Sequence, residues 1–160
     1  MKPRTFVQGA MVLVGAIALA AGASILVGRF GAFKPTRADA DNPTLVARGS
    51  EVYSRYCAAC HGARLEGQPN WRSRLPSGRL PAPPHDESGH TWHHSDKVLF
   101  AIVMDGVAEH APEGYQSDMP GFRGTLSETD VLAVLAFIKS QWPTTVRQRH
   151  ERLNANSERP

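Results

Sequence analysis

Cysteine is almost absent from this chain: two among 160 residues, both inside the stretch YSRYCAACHGARL at 53–65. With no further cysteine, there is no second Cys pair to complete a structural zinc site and no other thiol for either to bridge. The flanks show no βαβ alternation, which also removes a thioredoxin-like disulfide motif. Basic clusters are lacking too. The formal net charge is +3, yet residues 43–143 carry nine Lys/Arg against eleven Asp/Glu, so the excess sits in 1–42 and 144–160. No stretch gathers Lys and Arg as nucleic-acid binding requires, and no nucleic-acid partner is expected. Internal repeats are missing.

What is present is Cys57-Ala58-Ala59-Cys60-His61. C-x-x-C-H is the signature of covalent haem attachment. One helical turn sets both sulfurs along one haem edge, where they add across the two vinyl groups. The next residue then turns its imidazole onto the iron. Cys57 and Cys60 are therefore the expected thioether sites of one covalent haem c (heme c), and His61 the expected iron ligand.

Lys2 and Arg4 precede an almost unbroken apolar run from Phe6 to Gly28, with Gln8 its one strongly polar member. Twenty-three residues at about 1.5 Å each give roughly 35 Å of helix, enough to cross the hydrocarbon core. Residues 1–28 are read as a retained membrane anchor. A cleaved signal peptide is the competing reading, because Ala21-Gly22-Ala23 and Ala38-Asp39-Ala40 both fit a small-x-small cleavage site. Against it, Ile25-Leu26-Val27 continues the apolar run past the first of these. Two Lys/Arg precede the run and three soon follow it, so charge does not orient it.

Residues 29–42 read as a linker, 43–143 as the haem domain and 144–160 as a polar, disordered tail. Asn42-Pro43 predicts a helix start, N-cap followed by proline in the first turn. That helix should run to about Tyr56, with Leu45, Val46, Gly49, Val52, Tyr53 and Tyr56 on one stripe. The proline- and glycine-rich stretch 62–89 predicts loop. Ser95 is the expected cap of a second helix, Asp96 to Asp105, that buries Val98, Leu99, Ile102 and Val103 and stops at Gly106. A second loop should span 107–126. Ser127-Glu128-Thr129-Asp130 resembles a capping box, and the helix it opens should reach Trp142 before Pro143. Half the domain in loops is a poor core for its size, which a large apolar cofactor would repair.

Four methionines are available for the iron's other face. Met1 and Met11 lie in the N-terminal segment, and Met104 near a helix end reads as core packing. Met119, in SDMPGF, lies 58 residues after His61 in an irregular loop, stiffened by Pro120 and followed by Phe122. The helix into CAACHG, the Pro-rich loop, the middle helix, MPGF and the capped helix ending FIKSQWP resemble a bacterial class I c-type cytochrome over residues 43–143. The resemblance implies an all-α fold of three to four short helices around a single covalent haem, and the apolar run before it is read as an N-terminal transmembrane helix. It implies His61 and Met119 as axial ligands and the first and last helices packed across each other. It also implies a backbone carbonyl in LPAPP, residues 80–84, that accepts the proximal imidazole N–H, with Pro83 the best candidate.

The stretch HDESGHTWHH departs from that pattern, placing His85, His90, His93 and His94 within ten residues. A second metal site, donation from Trp92 and one histidine to the haem propionates, and a solvated loop are the three readings. His110 or His94 in place of Met119 is a further alternative. The resemblance implies a one-electron carrier rather than an enzyme. Its haem domain should face the periplasm from the cytoplasmic membrane and exchange electrons with membrane-bound redox complexes. An open or switchable distal site that reduces peroxide or a nitrogen oxide, or a fixed electron-entry subunit, are the competing functions.

Overall fold

The structure is a computed structural model that describes residues 36–157 and 159. The expected anchor 1–28 and the first part of the linker lie outside the described residues. Among those described there is no strand, and five α-helices carry the architecture: α1 (Pro43–Tyr56), α2 (Ala58–His61), α3 (Asp96–Asp105), α4 (Glu128–Ser140) and α5 (Thr144–Ser157). Two 3-10 turns, Thr91–His93 and Val107–His110, flank α3. No described helix is long and apolar enough to cross a membrane.

α1 begins as its sequence dictates. Pro43 occupies the first turn, and the Asn42 side chain accepts the Leu45 N–H at 3.0 Å. Its buried residues are Leu45, Gly49, Val52 and Tyr53, one helical stripe, and that stripe lies chiefly against α4. α4 is opened by a complete capping box, in which Ser127 accepts the Asp130 N–H and Asp130 accepts the Ser127 N–H. It is apolar nearly all round, with Val131, Ala133, Val134, Leu135, Ala136 and Ile138 buried. The helices meet at Gly49. A Cβ there would run into the Ala133 carbonyl and come within 2.8 Å of Phe137 Cβ, so only glycine admits this approach.

Four expectations need correction. Val98 is 42% exposed and Ile102 and Val103 are only half-buried, because α3 turns Leu99 and Met104 inward and successive residues face about 100° apart. Ser95 stands at the N-cap of α3, but its side chain makes no capping bond; Asn154 Oδ1 accepts the Asp96 N–H instead, at 2.8 Å. α4 ends at Ser140, leaving Trp142 outside the helix, where it is nevertheless buried. The tail is not disordered, since Thr144–Ser157 forms α5.

α5 is held by polar contacts. His150, fully buried, donates from Nε2 to the His94 carbonyl at 2.9 Å. Arg149 lies over the Trp92 ring at 4.7 Å, and Arg147 pairs with Asp41 at 2.5 Å. Lys139 on α4, only 4% exposed, reaches Asp96 at 2.8 Å and Glu151 at 3.4 Å, tying α3, α4 and α5 together. Ala38 is buried with the core and Asp41 pairs with Arg147, so the folded unit starts upstream of Pro43 and takes in the end of the expected linker.

Candidate functional site

α1 delivers the chain directly into the motif. Cys57 caps the single turn α2, and the turn closes at Gly62, whose φ of +82° is left-handed backbone suited to glycine. Tyr53, one turn before Cys57, donates its hydroxyl to the Gly62 carbonyl at 2.7 Å and so braces both ends of the motif. Burial pushes its phenol well above the usual range.

Both thiols are free, with Cys57 half-buried and Cys60 exposed. Burial, and then the neighbouring Cys60, pushes the Cys57 thiol up to about 11. That is the opposite of the lowered thiol on which Cys-x-x-Cys redox catalysts depend.

His61 is 7% exposed, and its Nδ1–H donates to the Pro83 carbonyl at 2.8 Å. Pro83 is thus the acceptor anticipated in LPAPP. A carbonyl can only accept, so the bond fixes the proton on Nδ1 and leaves Nε2 as the bare nitrogen. Burial lowers the His61 pKa, and the bond to Pro83 only partly offsets this, so the ring is neutral, as a metal ligand must be. The loop that supplies Pro83 is pinned to the motif from both sides. Gly67 N–H donates to the His61 carbonyl, Gln68 N–H to Ala82, and His85 N–H to Leu65, all at 2.8–2.9 Å.

Met119 lies half-buried in the loop after α3, its N–H donated to Ser117 Oγ at 3.1 Å. The next residues are strapped to the end of α3, with Phe122 N–H on Val103 and Arg123 N–H on Met104 at 3.0 and 2.9 Å. Gly121 makes the close approach, because a Cβ there would press into the Asp105 carbonyl. Phe122 meets Tyr56, the residue before Cys57, edge to face with centroids 6.2 Å apart. The Met119 loop and the cysteine motif are thereby brought together. Met104 is 6% exposed within the core, as its helical position implies.

The histidine-rich stretch divides. His90 stacks on His93 at 5.1 Å and meets His94 edge-on at 4.8 Å, yet no group of three His, Cys, Asp or Glu among the described residues is arranged to hold a metal. Trp92 spends its indole N–H on the Glu87 carbonyl at 3.1 Å, which removes it as a propionate donor. His110 faces Asp105 at 3.4 Å. His85 alone turns inward and stacks on His61, a placement that sequence reading missed by grouping it with its neighbours.

A covalent haem asks this segment for two unbridged thiols, a neutral imidazole with a free outer nitrogen, and a backbone that holds them. The residues supply all three. The class is that of a protein with covalent haem. The family follows from the sequence pattern: the cytochrome c family matches residues 46–142, and the chain belongs to it. It carries haem c at Cys57 and Cys60 and is a haem-based electron carrier. No curated protein matches the chain significantly. Among solved structures it is similar to cytochrome CL of the marine methylotrophic bacterium Methylophaga aminisulfidivorans. The identity is 20%, the match covers 80% of this chain and 83% of that one, and the TM-score is 0.48.

Proposed function

We propose that this cytochrome is a one-electron carrier, not an enzyme, with His61 and Met119 as axial ligands and no coordination position left for substrate. The observation that carries the reading is the 2.8 Å bond from His61 Nδ1–H to the Pro83 carbonyl, which reserves Nε2 for iron. When bound, the haem supplies a one-electron ferric/ferrous couple. The chain's part is to hold its donors still while the charge changes. His61 is oriented by Pro83, and Met119 is carried on a loop strapped to α3 by Phe122 and Arg123. With Met119 and His61 both holding the iron, the thioether would favour the ferrous state and raise the potential relative to two nitrogen ligands. The alternatives to Met119 are engaged elsewhere: Met104 in the core, His110 with Asp105, and the His94 ring against His90.

The ferric protein should show the weak sulfur–iron band near the red edge of the visible spectrum. Its absence would remove Met119 from the iron.

The apolar run Phe6 to Gly28 serves, on this reading, as a retained anchor. It keeps the haem domain on the periplasmic face of the cytoplasmic membrane, within reach of membrane-bound redox complexes. Haem-stained protein should then pellet with membranes, resist high salt and dissolve only in detergent. Soluble haem protein beginning at Ser24 or Asp41 would overturn the anchor and leave the carrier reading intact.

A further inference from the structure

His85 behaves unlike the other histidines of its loop. Its ring lies flat on that of His61, with centroids 4.0 Å apart and planes 23° from parallel. The stack is itself held in place. His85 Nδ1 and Thr91 Oγ1 are hydrogen-bonded at 2.6 Å, and the ring stands edge-on to Tyr53 at 6.3 Å. Its backbone is fixed at both ends, N–H to the Leu65 carbonyl at 2.8 Å and carbonyl to the Trp142 indole N–H at 2.7 Å.

Pro83 and His85 therefore act on the same imidazole from one short segment. The Pro83 carbonyl accepts the N–H at one edge of the His61 ring, and His85 covers one face. A hydrogen bond at an edge still lets a ring swing about that bond. A flat partner on the face blocks the swing and keeps water off. A carbonyl acceptor alone would have needed neither the stack nor its four supports.

We propose that His85 is a positioning residue: it fixes the plane of the proximal imidazole and shields its face, and so sets the ligand field and midpoint potential of the haem iron. This rests on the reading of His61 as an axial ligand. The plane of an axial imidazole decides which iron d orbital it meets, so a ring free to swing spreads the low-spin electron-spin signal over many orientations. Water admitted to the proximal side favours the more highly charged ferric state and lowers the potential.

The test uses the full-length holoprotein with His85→Ala, His85→Phe and Thr91→Val, measured by ferric electron paramagnetic resonance and potentiometric titration. His85→Ala should shift and broaden the low-field signal and lower the potential. His85→Phe, which keeps a flat ring and a dry face but loses the Thr91 bond, should bring both most of the way back toward the parent values, to about where Thr91→Val lies. Thr91→Val, which frees the ring without deleting it, should move both in the direction of His85→Ala, by less. A purely structural role would alter stability in all three and leave signal and potential alone. Parent-like signal and potential in His85→Ala, or a His85→Phe protein displaced as far as His85→Ala, overturns the proposal. Should His85→Ala fail to accumulate, an unshifted Thr91→Val protein overturns it as well. Axial-imidazole nitrogen couplings in the parent separate the two layers. Their absence defeats both readings, and their presence with unmoved variants defeats the positioning role alone.

Discussion

Around His61 the chain leaves almost nothing free: Nδ1 is bonded to Pro83, one face is covered by His85, and the turn carrying it is braced by Tyr53. Met119, by contrast, is itself held by one bond, from its N–H to Ser117 Oγ, and its order is borrowed from its neighbours: Asp118 pairs with Arg79, Arg123 pairs with Asp105, and the Phe122 and Arg123 N–H groups strap the loop to α3. The difference teaches where rigidity is needed. On the proposed ligation, the proximal donor His61 follows the C-x-x-C pair in sequence and is built into the same turn. The distal donor Met119 comes from 58 residues away and must be brought in by a loop. A side chain delivered in that way can be exchanged without dismantling the fold, whereas the proximal arrangement is part of it.

The comparison can be broken most completely at the attachment site. Replacing both Cys57 and Cys60 with serine should abolish covalent haem, since the chain holds no other thiol. A denaturing gel stained for haem reads this directly, and stain persisting in the double variant would refute the attachment. Single replacements should leave haem on one thioether.

Next in size is Gly49→Ala. The new methyl meets the Ala133 carbonyl where α1 crosses α4, the packing that carries the motif. Overpacking of this kind costs about 1–3 kcal/mol, which outweighs the roughly 1 kcal/mol that alanine gains over glycine within a helix. Denaturant unfolding of the holoprotein should show the loss; equal or greater stability would mean the helices are free to move apart.

A smaller effect concerns α5, the region furthest from the proximal turn in its chemistry. Burial lowers the His150 pKa from its ordinary 6.5, with Asp96 opposing and Lys139 reinforcing the shift. The unfolded chain takes up a proton near 6.5 that the folded chain refuses, so stability falls as pH drops below that value. His93 and His94 are lowered by burial too and add to the slope. His150→Gln, which keeps a donor for the His94 carbonyl, should make the acid-side loss shallower. An unchanged pH dependence of the unfolding midpoint would show that His150 is not a source of it.

Much of this was legible in the sequence, for identifiable reasons. Local chemistry announced itself: Asn42-Pro43 and Ser127 to Asp130 specify their helix starts by side-chain bonds within one turn. The spacing of Cys57, Cys60 and His61 is likewise a one-turn property, whereas Pro83 was anticipated only through the resemblance of LPAPP to the class I cytochrome pattern. What escaped was polar and long-range. α5 has no apolar stripe; Val146, His150 and Asn154 recur at helical spacing, but the last two act as hydrogen-bonding groups toward a loop and a helix cap. Hydropathy periodicity is blind to a helix held this way. Ser95 looked like a cap because of its position, and the capping oxygen came instead from Asn154, 59 residues later. His85 was hidden by its neighbours, since nothing local separates it from His90 until the loop folds back over Leu65.

The central claim, that the proximal side belongs to the fold while the distal side is closed by one exchangeable methionine, is tested most directly by carbon monoxide binding to ferrous parent and Met119→Ala proteins. The parent should bind carbon monoxide poorly, and Met119→Ala should bind it readily, retain its haem, lose the red-edge band and titrate at a lower potential. A parent that binds carbon monoxide rapidly, or a variant indistinguishable from the parent in spectrum and potential, would contradict the account.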